Sequence, residues 1–419
     1  MQKIATGIRR STAEPHRTVA DRRSLRSLLL RHPAWTVAGI LLLGFNMRPA
    51  ITSVAPFLGQ IRQDLGMSGL AVSLLTTAPV VCLGLFAPAA APLARRFGPE
   101  AVLLACLIGV AAGVLLRSFG LVPLFAGTVV IGASMSVLGV LSPVVIKRDF
   151  ARRAGMMMGL YAMLISLGAA LSTATAAPLQ QSAGGSWRMA LLFWAVPALV
   201  AALVFIPQLF RSDRAPNTAR AHVGGLLREP LAWQVTGFFA LVASLAYAVF
   251  SWGPSMLQAR GLDGTSSGLV MSLSYIAQMA TGFGAPILAG KQRDQRLLAV
   301  ALVVLTGAGL LGILFAPVWS VGFFAIVLGL GQGGAFGLAL SLIVLRSANP
   351  HTAAQLSGLT QSVGYVVGGL VGPMAVGLVH DWSGGWGAVA VLYVAVGVAT
   401  LLLGLGAGRA RTLNTGANQ

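Results

Sequence analysis

The chain has 419 residues, of which 56% are hydrophobic and only 9% are charged. Soluble domains carry about 25% charged residues, so the composition excludes a soluble globular protein and indicates a membrane protein. The formal charge of +19 is typical of nucleic-acid-binding proteins, but the basic residues stand in short clusters between apolar runs. We therefore expect no nucleic-acid partner.

Apolar runs of a length that spans a bilayer recur along the whole chain. We predict an all-α polytopic membrane protein with twelve transmembrane helices. The predicted domains are a basic cytosolic N-terminal tail (1–33), a six-helix bundle (34–208), a cytosolic linker (209–230), a second six-helix bundle (231–407) and a cytosolic C-terminal tail (408–419). The predicted helices lie at approximately residues 34–58, 69–92, 100–117, 121–145, 155–179, 187–208, 231–257, 267–289, 297–316, 319–345, 354–379 and 385–406.

The distribution of Lys and Arg predicts the orientation of these helices. Of the 29 basic side chains, 24 fall on the side of the two tails, four fall on the other side, and one lies inside a helix. Because cytosolic loops of membrane proteins are enriched in Lys and Arg, we expect both termini in the cytosol. The four residues expected on the opposite side are Arg62, Arg117, Arg188 and Arg260.

The second half of the sequence repeats the first at a constant offset of 199 residues. Across residues 58–74 this offset gives 7 identities in 17 positions, including Asp64 with Asp263, and it also pairs Trp187 with Trp386. We infer two six-helix repeats in parallel orientation. This is the architecture of the major facilitator transporters, whose substrate site lies between the halves near the bilayer midplane.

One basic residue, Arg48, lies at the centre of an apolar run. An arginine does not lose its proton in a protein. Placing it at the bilayer centre costs at least about 2.5–3.5 kcal/mol, so an intramembrane charge points to a functional site. Pro49, which follows, disturbs the helix and frees backbone groups. Two interpretations stay open: Arg48 binds a solute, or it ties helix ends together through backbone carbonyls.

The sequence carries few residues for metal, redox or acid–base chemistry inside the membrane. No predicted helix has an Asp, Glu or His at its centre, and the two cysteines, Cys82 and Cys106, lie in apolar runs. We interpret the cysteines as core residues and expect no disulfide, metal or cofactor. A membrane enzyme needs a cluster of catalytic side chains, so we do not expect an enzyme. The sequence also lacks a Walker motif for ATP.

Six short segments, spread over most of the chain, carry a family resemblance. They are Asn46-Met47-Arg48-Pro49-Ala50-Ile51-Thr52-Ser53, Ile146-Lys147-Arg148-Asp149-Phe150, Trp252-Gly253-Pro254, Asp294-Gln295-Arg296, Gln361-Ser362-Val363-Gly364-Tyr365 and His380-Asp381-Trp382. Together they resemble the cyanate-permease and nitroimidazole-transporter (CynX/NimT) type of the major facilitator superfamily. The resemblance implies a monomeric secondary active transporter in the cytoplasmic (inner) membrane of a bacterium. It would move a small polar or anionic solute by alternating access, with that solute and the lipid bilayer as its partners.

The resemblance also implies a cytosolic gate formed by two loops, one in each half. The superfamily usually has an Asp in the loop between helices two and three, but this sequence has Arg95 there, followed by Arg96. The repeat partner of Arg95 is Asp294, and Arg296 lies two residues further on. We expect these four residues to take part in gating, without the usual salt bridge inside the first loop.

The repeat places Tyr247 opposite Arg48, since their positions differ by 199 residues. We predict that these two side chains face each other across a central cavity and hold a small polar or anionic group. For Tyr247 the alternative is simple packing. Thr52 lies one turn from Arg48 on the same face, and Asn46 either binds the solute or bonds within its own half.

Polar and aromatic residues of other helices complete the predicted site. Gln361 and Tyr365 share one face of the eleventh helix, which should look into a cavity, with packing as the alternative. Trp252 either gates the cavity or marks the membrane interface, where Trp is enriched. The weaker candidates for solute binding are Tyr161, Tyr275, Gln278 and Gln332.

The main alternative function is proton-linked efflux of drug-like compounds. Many antiporters for cationic drugs carry a carboxylate inside the membrane, whereas the single charge predicted there in this chain is positive. Cationic drugs are therefore disfavoured, and the efflux alternative applies to neutral or weakly acidic compounds.

A topology experiment checks the predicted orientation. A reporter that is active only outside the cytosol should be active after Gly66, Gly120 or Gly261 and silent after Arg411, because the first three loops carry few basic residues. Activity at Arg411, or silence at Gly66 and Gly261, would contradict the twelve-helix topology.

Overall fold

The computed structural model describes residues 33–211 and 226–413. Within these two ranges the chain consists of helices and turns, apart from one isolated pair of bridged residues, Ser347 and Leu413. The all-α prediction is confirmed. The predicted basic tail except its last residue, most of the predicted linker, and residues 414–419 of the C-terminal tail lie outside the described residues.

Twelve long helical segments follow one another in the described part of the chain, in the predicted order. Eleven of them are long and apolar enough to cross a membrane. The remaining one, α8, has 28 residues, and its polar residues Ser267, Ser272 and Ser274 are buried against protein. The bounds are α1 Trp35–Asp64, α2 Gly69–Phe97, α3 Pro99–Phe119, α4 Leu121–Asp149, α5 Gly155–Ala174, α6 Trp187–Leu209, α7 Pro230–Gln258, α8 Gly264–Lys291, α9 Arg296–Phe315, α10 Val318–Leu345, α11 Thr352–Ser383 and α12 Trp386–Ala407.

Side-chain caps fix where two of these helices begin. At the start of α2, Ser68 Oγ accepts a hydrogen bond from the backbone N–H of Ala71 (3.2 Å). At the start of α8, Asp263 Oδ2 accepts one from the N–H of Thr265 (3.0 Å). Hydrogen bonds from Ser266 hold the pKa of Asp263 below its ordinary value, because they stabilise the charged carboxylate. Each cap satisfies a backbone donor that the first turn leaves unpaired.

The two halves of the molecule repeat the same helix packing. In the first half α1 packs on α5 and α6, and α3 packs on α4. In the second half α7 packs on α11 and α12, and α9 packs on α10. These are the same pairs under the 199-residue offset, so the repeat seen in the sequence is also a repeat of three-dimensional structure. The halves meet along two seams, α2 with α11 and α5 with α8.

Glycines allow the close approach of the halves along both seams. A Cβ atom on Gly84 of α2 would lie 2.4 Å from the carbonyl oxygen of Ser362 on α11. One on Gly268 of α8 would lie 2.4 Å from the carbonyl oxygen of Thr173 on α5. Because no side chain fits at such a distance, the backbones touch only where glycine stands, which is the usual way of packing helices tightly in a membrane.

The two ends of the bundle differ in their charged residues. The connections α1–α2 and α7–α8 (residues 65–68 and 259–263) lie at one end, which we call the latch end. The connections α2–α3 and α4–α5 (residue 98 and residues 150–154) lie at the other, which we call the basic end.

An ion pair joins the two halves at the latch end. Arg62 Nη2 of the first half lies 3.1 Å from Asp381 Oδ1 of the second. Nearby, Gln258 Nε2 donates to the carbonyl oxygen of Pro56 across the same boundary (3.4 Å). Gly69 lies directly against the carboxyl group of Asp381, where a Cβ atom would come within 2.2 Å. The halves are therefore closed against each other at this end.

At the basic end, the ion pairs of Arg148 and of Arg296 each lie within one half of the molecule. Arg148 Nη2 lies 2.5 Å from Glu100 Oε1, which joins α4 to α3. Arg95 and Arg96 are exposed, and Asp294 Oδ2 lies 3.4 Å from Nε of Arg296 in the α8–α9 connection. The four residues predicted to gate the transport path thus lie at the basic end, and their gating role stays a prediction.

Loss of the Arg62–Asp381 ion pair should loosen the latch end. An exposed pair contributes about 0.2–1 kcal/mol, so Arg62→Ala and Asp381→Ala should fold normally. Each should raise the labelling rate of a cysteine at Ser73, which is buried beside Gly377 between α2 and α11, by roughly 2- to 5-fold. The label is a membrane-impermeant maleimide, applied to protein whose two native cysteines have been replaced by alanine.

Two further variants make this result specific. The charge-reversed protein Arg62→Asp with Asp381→Arg should return the labelling rate to its original value. Arg188→Ala removes an ion pair with Asp64 inside the first half (2.6 Å) and should change nothing. Equal labelling of all these proteins would show that the pair does not hold the latch end closed.

Candidate functional site

The first helix, α1, is broken in the middle of the membrane. Pro49 and Pro56 have no N–H to donate, so each interrupts the helical ladder. Arg48, which precedes the first of them, has φ −125° and ψ −35°, outside the regular helix geometry. The helical pieces are Pro33–Asn46, Pro49–Thr52, Ala55–Phe57 and Leu58–Asp64.

Helix α5 supports this break from one side. A Cβ atom on Gly168 would lie 2.2 Å from the carbonyl oxygen of Phe45, whose helical partner would have been the missing N–H of Pro49. Thr52 Oγ1 and Ser172 Oγ are 2.6 Å apart and share a hydrogen bond. The break therefore sits in a groove of α5 that only a glycine backbone can form.

Two of the predicted site residues form hydrogen bonds that stabilise the break in α1. Asn46 Nδ2 donates to the carbonyl oxygens of Leu42 (2.8 Å) and of Pro197 on α6 (3.2 Å). Thr52 Oγ1 donates to the carbonyl oxygen of Arg48 (3.0 Å) besides its contact with α5. Both polar groups are engaged by partners in the first half of the molecule.

The side chain of Arg48 crosses from the first half to the second. Its Cζ atom lies 4.2 Å from the ring centroid of Phe250 and 5.1 Å from that of Tyr247, both on α7. Its Nη1 atom is buried and has no hydrogen-bond partner among the described residues. A cation–π contact contributes about 0.5–2 kcal/mol, which offsets only part of the roughly 2.5–3.5 kcal/mol or more that this charge costs inside a membrane. A further partner would lower the free energy of the guanidinium.

An aromatic wall lies on one side of the guanidinium of Arg48, formed by Tyr247 and Phe250 with the rings that pack on them. The Tyr247 ring lies 6.0 Å from that of Tyr365 on α11, and the Phe250 ring lies 5.2 Å from that of Tyr275 on α8. The hydroxyl oxygens of Tyr275 and of Tyr161 on α5 are buried without a hydrogen-bond partner in the described chain. The Tyr161 ring packs directly against α1, where a Cβ atom on Gly44 would lie 2.9 Å from its Cδ2 atom. Helices α1, α5, α7, α8 and α11 thus meet at one cluster of unpaired donors and aromatic faces.

Other predicted site residues have hydrogen-bond partners within the second half, and their part in solute binding stays a prediction. Gln361 Nε2 donates to Ser357 Oγ one turn back on its own helix (2.8 Å). Trp252 Nε1 donates to the carbonyl oxygen of Pro373 (2.9 Å), and its ring stacks on His380 within the second half. The weaker candidates Gln278 and Gln332 contact each other, and Gln332 Nε2 also donates to the carbonyl oxygen of Leu245 on α7 (3.1 Å).

Sequence reasoning passed over two residues that the structure places beside the site. Phe250 lies three residues after Tyr247, so the helical period alone would have put both on one face. Arg117 was counted only among the four basic residues of the side opposite the tails, at the end of the third predicted helix, but its side chain is buried, with 3% exposed, and it reaches α1. A basic residue inside the last turn of an apolar run was the signal available for it.

Comparison with known proteins decides the family. The sequence profile of the Major Facilitator Superfamily matches residues 34–373. The chain belongs to the major facilitator superfamily. It is therefore a multi-pass membrane transporter and not an enzyme.

Similar proteins indicate to which branch of the superfamily the transporter belongs. It is 37% identical over 379 residues to the uncharacterized transporter YycB of Bacillus subtilis (strain 168), covering 90% of this chain and 94% of the relative. It is 36% identical over 380 residues to the 2-nitroimidazole transporter of Escherichia coli (strain K12), covering 89% and 95%. It is 31% identical over 351 residues to the cyanate transport protein CynX of the same organism, covering 83% and 90%. The CynX/NimT resemblance is confirmed.

A solved structure supports the fold of the transporter. The crystal structure of the nucleoside transporter NupG matches with a TM-score of 0.69, covering 88% of this chain and 98% of NupG. The sequence identity is 13%, so this likeness concerns the fold alone. The predicted major facilitator fold is confirmed.

Substitution of Gly168 should test how tightly α5 holds the break of α1. Alanine favours a helix over glycine, but the added Cβ atom would meet the Phe45 carbonyl oxygen at 2.2 Å. We expect Gly168→Ala to lower the melting temperature of the transporter by about 2–10 °C, as overpacking does. Gly155→Ala on the same helix is the matched control, because nothing lies within 4 Å of its added Cβ atom. Equal melting temperatures for the two variants would refute the close contact.

Proposed function

We propose that this transporter is a secondary active transporter of a small polar or anionic solute, which binds at Arg48 between the two halves. The observation that carries the proposal is the buried Nη1 atom of Arg48, which lacks a hydrogen-bond partner in the described chain. A planar guanidinium with free N–H groups binds carboxylate-like and other acceptor groups in a bidentate manner. The solute would supply the hydrogen-bond acceptor that the Nη1 atom of Arg48 lacks in the described chain.

The surroundings of Arg48 favour a small solute with a flat apolar part. The rings of Tyr247 and Phe250 face the guanidinium, and the hydroxyl groups of Tyr161 and Tyr275 are unpaired, buried donors. Each ion pair of the described residues has its carboxylate near an end of the bundle, and none involves Arg48. Such a site attracts electron-rich groups and disfavours cations. Relatives named for 2-nitroimidazole and for cyanate support this class of solute.

Alternating access would use the two seams between the halves. The latch end is closed by the Arg62–Asp381 contact, and Arg48 lies between the halves on a helix that is already broken. A solute that bridges Arg48 and the aromatic wall of α7 would draw the halves together around it, and release of the latch would open the other side. We place the basic end in the cytosol of a bacterial cell and the bundle in its cytoplasmic membrane, in accordance with the asymmetry of Lys and Arg.

The decisive experiment compares Arg48→Lys and Arg48→Ala with the unmodified protein. Binding of 2-nitroimidazole and of sodium cyanate is measured for each purified protein, together with its melting temperature. Arg48→Ala should weaken binding of the accepted solute by about 10- to 100-fold, the range for a hydrogen bond to a charged group. Its melting temperature should not fall, because a costly buried charge is removed. Arg48→Lys keeps the charge but loses the forked geometry and should also bind more weakly.

A matched control distinguishes the loss of solute binding from the general effect of removing an arginine. Arg188 lies over the ring of Trp187 (4.4 Å) at the surface of the latch end, so Arg188→Ala removes a similar contact far from the site and should leave affinity unchanged. If Arg48 served only the structure, Arg48→Ala would lower the yield and the melting temperature, and the surviving protein would still bind. Unchanged affinity in Arg48→Ala would end the proposal.

Efflux of neutral or weakly acidic compounds linked to protons is the alternative within the same fold. Transport by protein in sealed vesicles distinguishes the two directions. Accumulation of the solute on the side of the basic end would indicate uptake, and proton-driven removal from that side would indicate efflux.

A further inference from the structure

Arg117 is a buried arginine that no carboxylate neutralises in the described structure. It lies in the last turn of α3, with 3% of its surface exposed. Its Nε atom donates to Thr128 Oγ1 on α4 (3.1 Å), and its Nη1 atom donates to the carbonyl oxygen of Ala50 on α1. Burying a guanidinium with only neutral acceptors costs free energy. The position of Arg117 therefore requires a structural explanation.

The break of α1 explains why the Ala50 carbonyl oxygen accepts from Arg117. In a continuous helix the N–H of Val54 would donate to Ala50, four residues earlier. At the break it donates to Ile51 instead (3.4 Å), which leaves the carbonyl oxygen of Ala50 free for another donor. A buried carbonyl oxygen without a donor is unfavourable, and Arg117 supplies that donor.

Residues of α4 hold the Arg117 side chain in the position from which it reaches the Ala50 carbonyl oxygen. Thr128 Oγ1, which accepts from Nε, itself donates to the carbonyl oxygen of Leu124 (2.7 Å), so its orientation is fixed. A Cβ atom on Gly127 would lie 3.1 Å from Cγ of Arg117 and 2.4 Å from the carbonyl oxygen of Gly113. Glycine at that crossing lets α3 and α4 come together around the arginine stem.

We infer that Arg117 is a positioning residue for the solute site: it fixes the broken segment of α1 and thereby the direction in which Arg48 points. Ala50, its acceptor, is two residues from Arg48 and belongs to the four-residue piece Pro49–Thr52. A cavity of about 20 Å³, lined among others by Arg117, Ile51 and Ser251, lies between this buried piece and α7. The Arg117 contact therefore restrains the backbone of this segment from the side of α3, in addition to the contacts that α5 makes with it.

The second half contains an arginine that makes a similar contact without a solute site beside it. Arg260 lies in the α7–α8 connection and donates from Nη1 to the carbonyl oxygen of Ile313 (2.6 Å) and from Nη2 to that of Ala316, at the end of α9. Ala316 is the repeat partner of Arg117 at the 199-residue offset. Arg260→Met is thus a matched control, which loses carbonyl contacts of the same kind at the corresponding place of the other repeat.

Amide hydrogen exchange tests the restraint itself and requires no solute. In Arg117→Met, exchange of the peptide covering residues 44–57 should rise roughly 10- to 100-fold, the range for a hydrogen bond from a charged donor. In Arg260→Met the increase should fall on residues 312–317, and residues 44–57 should be unchanged. Unchanged exchange of residues 44–57 in Arg117→Met would overturn the inference.

Binding of 2-nitroimidazole and of cyanate tests the consequence for the site, and this part rests on the proposed function. Arg117→Met should weaken binding of the accepted solute roughly 10-fold, whereas Arg260→Met should lower only the melting temperature. If Arg48→Ala loses affinity and Arg117→Met keeps it, Arg117 has a structural role alone and the positioning role is refuted. If Arg48→Ala keeps its affinity, the proposed function fails, and hydrogen exchange of residues 44–57 decides about the restraint.

Two milder variants keep the test valid if Arg117→Met does not fold. Thr128→Val removes the acceptor that orients Arg117 but leaves the charge and the Ala50 contact in place. Arg117→Lys keeps the charge, but one ammonium group does not reach both acceptors in the geometry of the fork. Each should raise exchange of residues 44–57 by roughly 2- to 10-fold. Unchanged exchange in both would contradict the inference.

Discussion

The structure of this transporter depends on a half-buried guanidinium, with one of its N–H groups fully buried, that the described protein does not neutralise. Arg48 stands in the middle of a membrane-spanning segment, and the described part of the chain brings no carboxylate to it. Its neighbours on α7 are the aromatic faces of Phe250 and Tyr247, with ring centroids 4.2 and 5.1 Å away. Such contacts stabilise a cation in part and leave its N–H groups available. If a carboxylate of the same protein paired with Arg48, its N–H groups would be occupied and would gain much less from binding a solute.

The surrounding helices stabilise the broken segment of α1 that carries Arg48. Pro49 breaks α1 beside the arginine, and the break exposes backbone oxygens that would be costly in lipid. The carbonyl oxygen of Ala50 accepts a hydrogen bond from Arg117 on α3, and that of Phe45 is shielded by the closely packed backbone of Gly168 on α5. The polar groups of Asn46 and Thr52 add further bonds within the first half. The first half is therefore a rigid holder for one irregular segment, and the second half contributes the aromatic surface that this segment faces.

The two halves have the same helix packing but different chemistry at equivalent positions. Position 48 is arginine in the first half, and the equivalent position 247 is tyrosine in the second. Asp64 forms an ion pair with Arg188, whereas its partner Asp263 caps α8. Duplication gives two copies of a scaffold, and divergence at a few positions places a charge on one side of the central contact and aromatic rings on the other. Ligand-binding sites between repeats of transporters have this general plan.

Much of the architecture was determined by local properties of the sequence. Apolar runs and the 199-residue repeat predicted twelve helices in two bundles, because helix length and hydropathy are set residue by residue in a membrane. The repeat and the isolated charge together also pointed to Arg48 and Tyr247. They left open whether Asn46 would bond within its own half, and they did not predict that Thr52 would do so or that Trp252 would pack against α11.

Only the tertiary structure decided which polar groups lack partners and which have them. Arg117 looked like one more basic residue at the end of a predicted helix, since nothing in the order of residues shows that its side chain crosses to a freed carbonyl oxygen 67 positions earlier. The unpaired hydroxyl groups of Tyr161 and Tyr275 became visible in the same way. Hydrogen bonding between distant segments depends on distances of a few tenths of an ångström, and those are set by how whole helices pack. Composition and periodicity specify the helices, whereas the chemistry of the site arises where five of them meet.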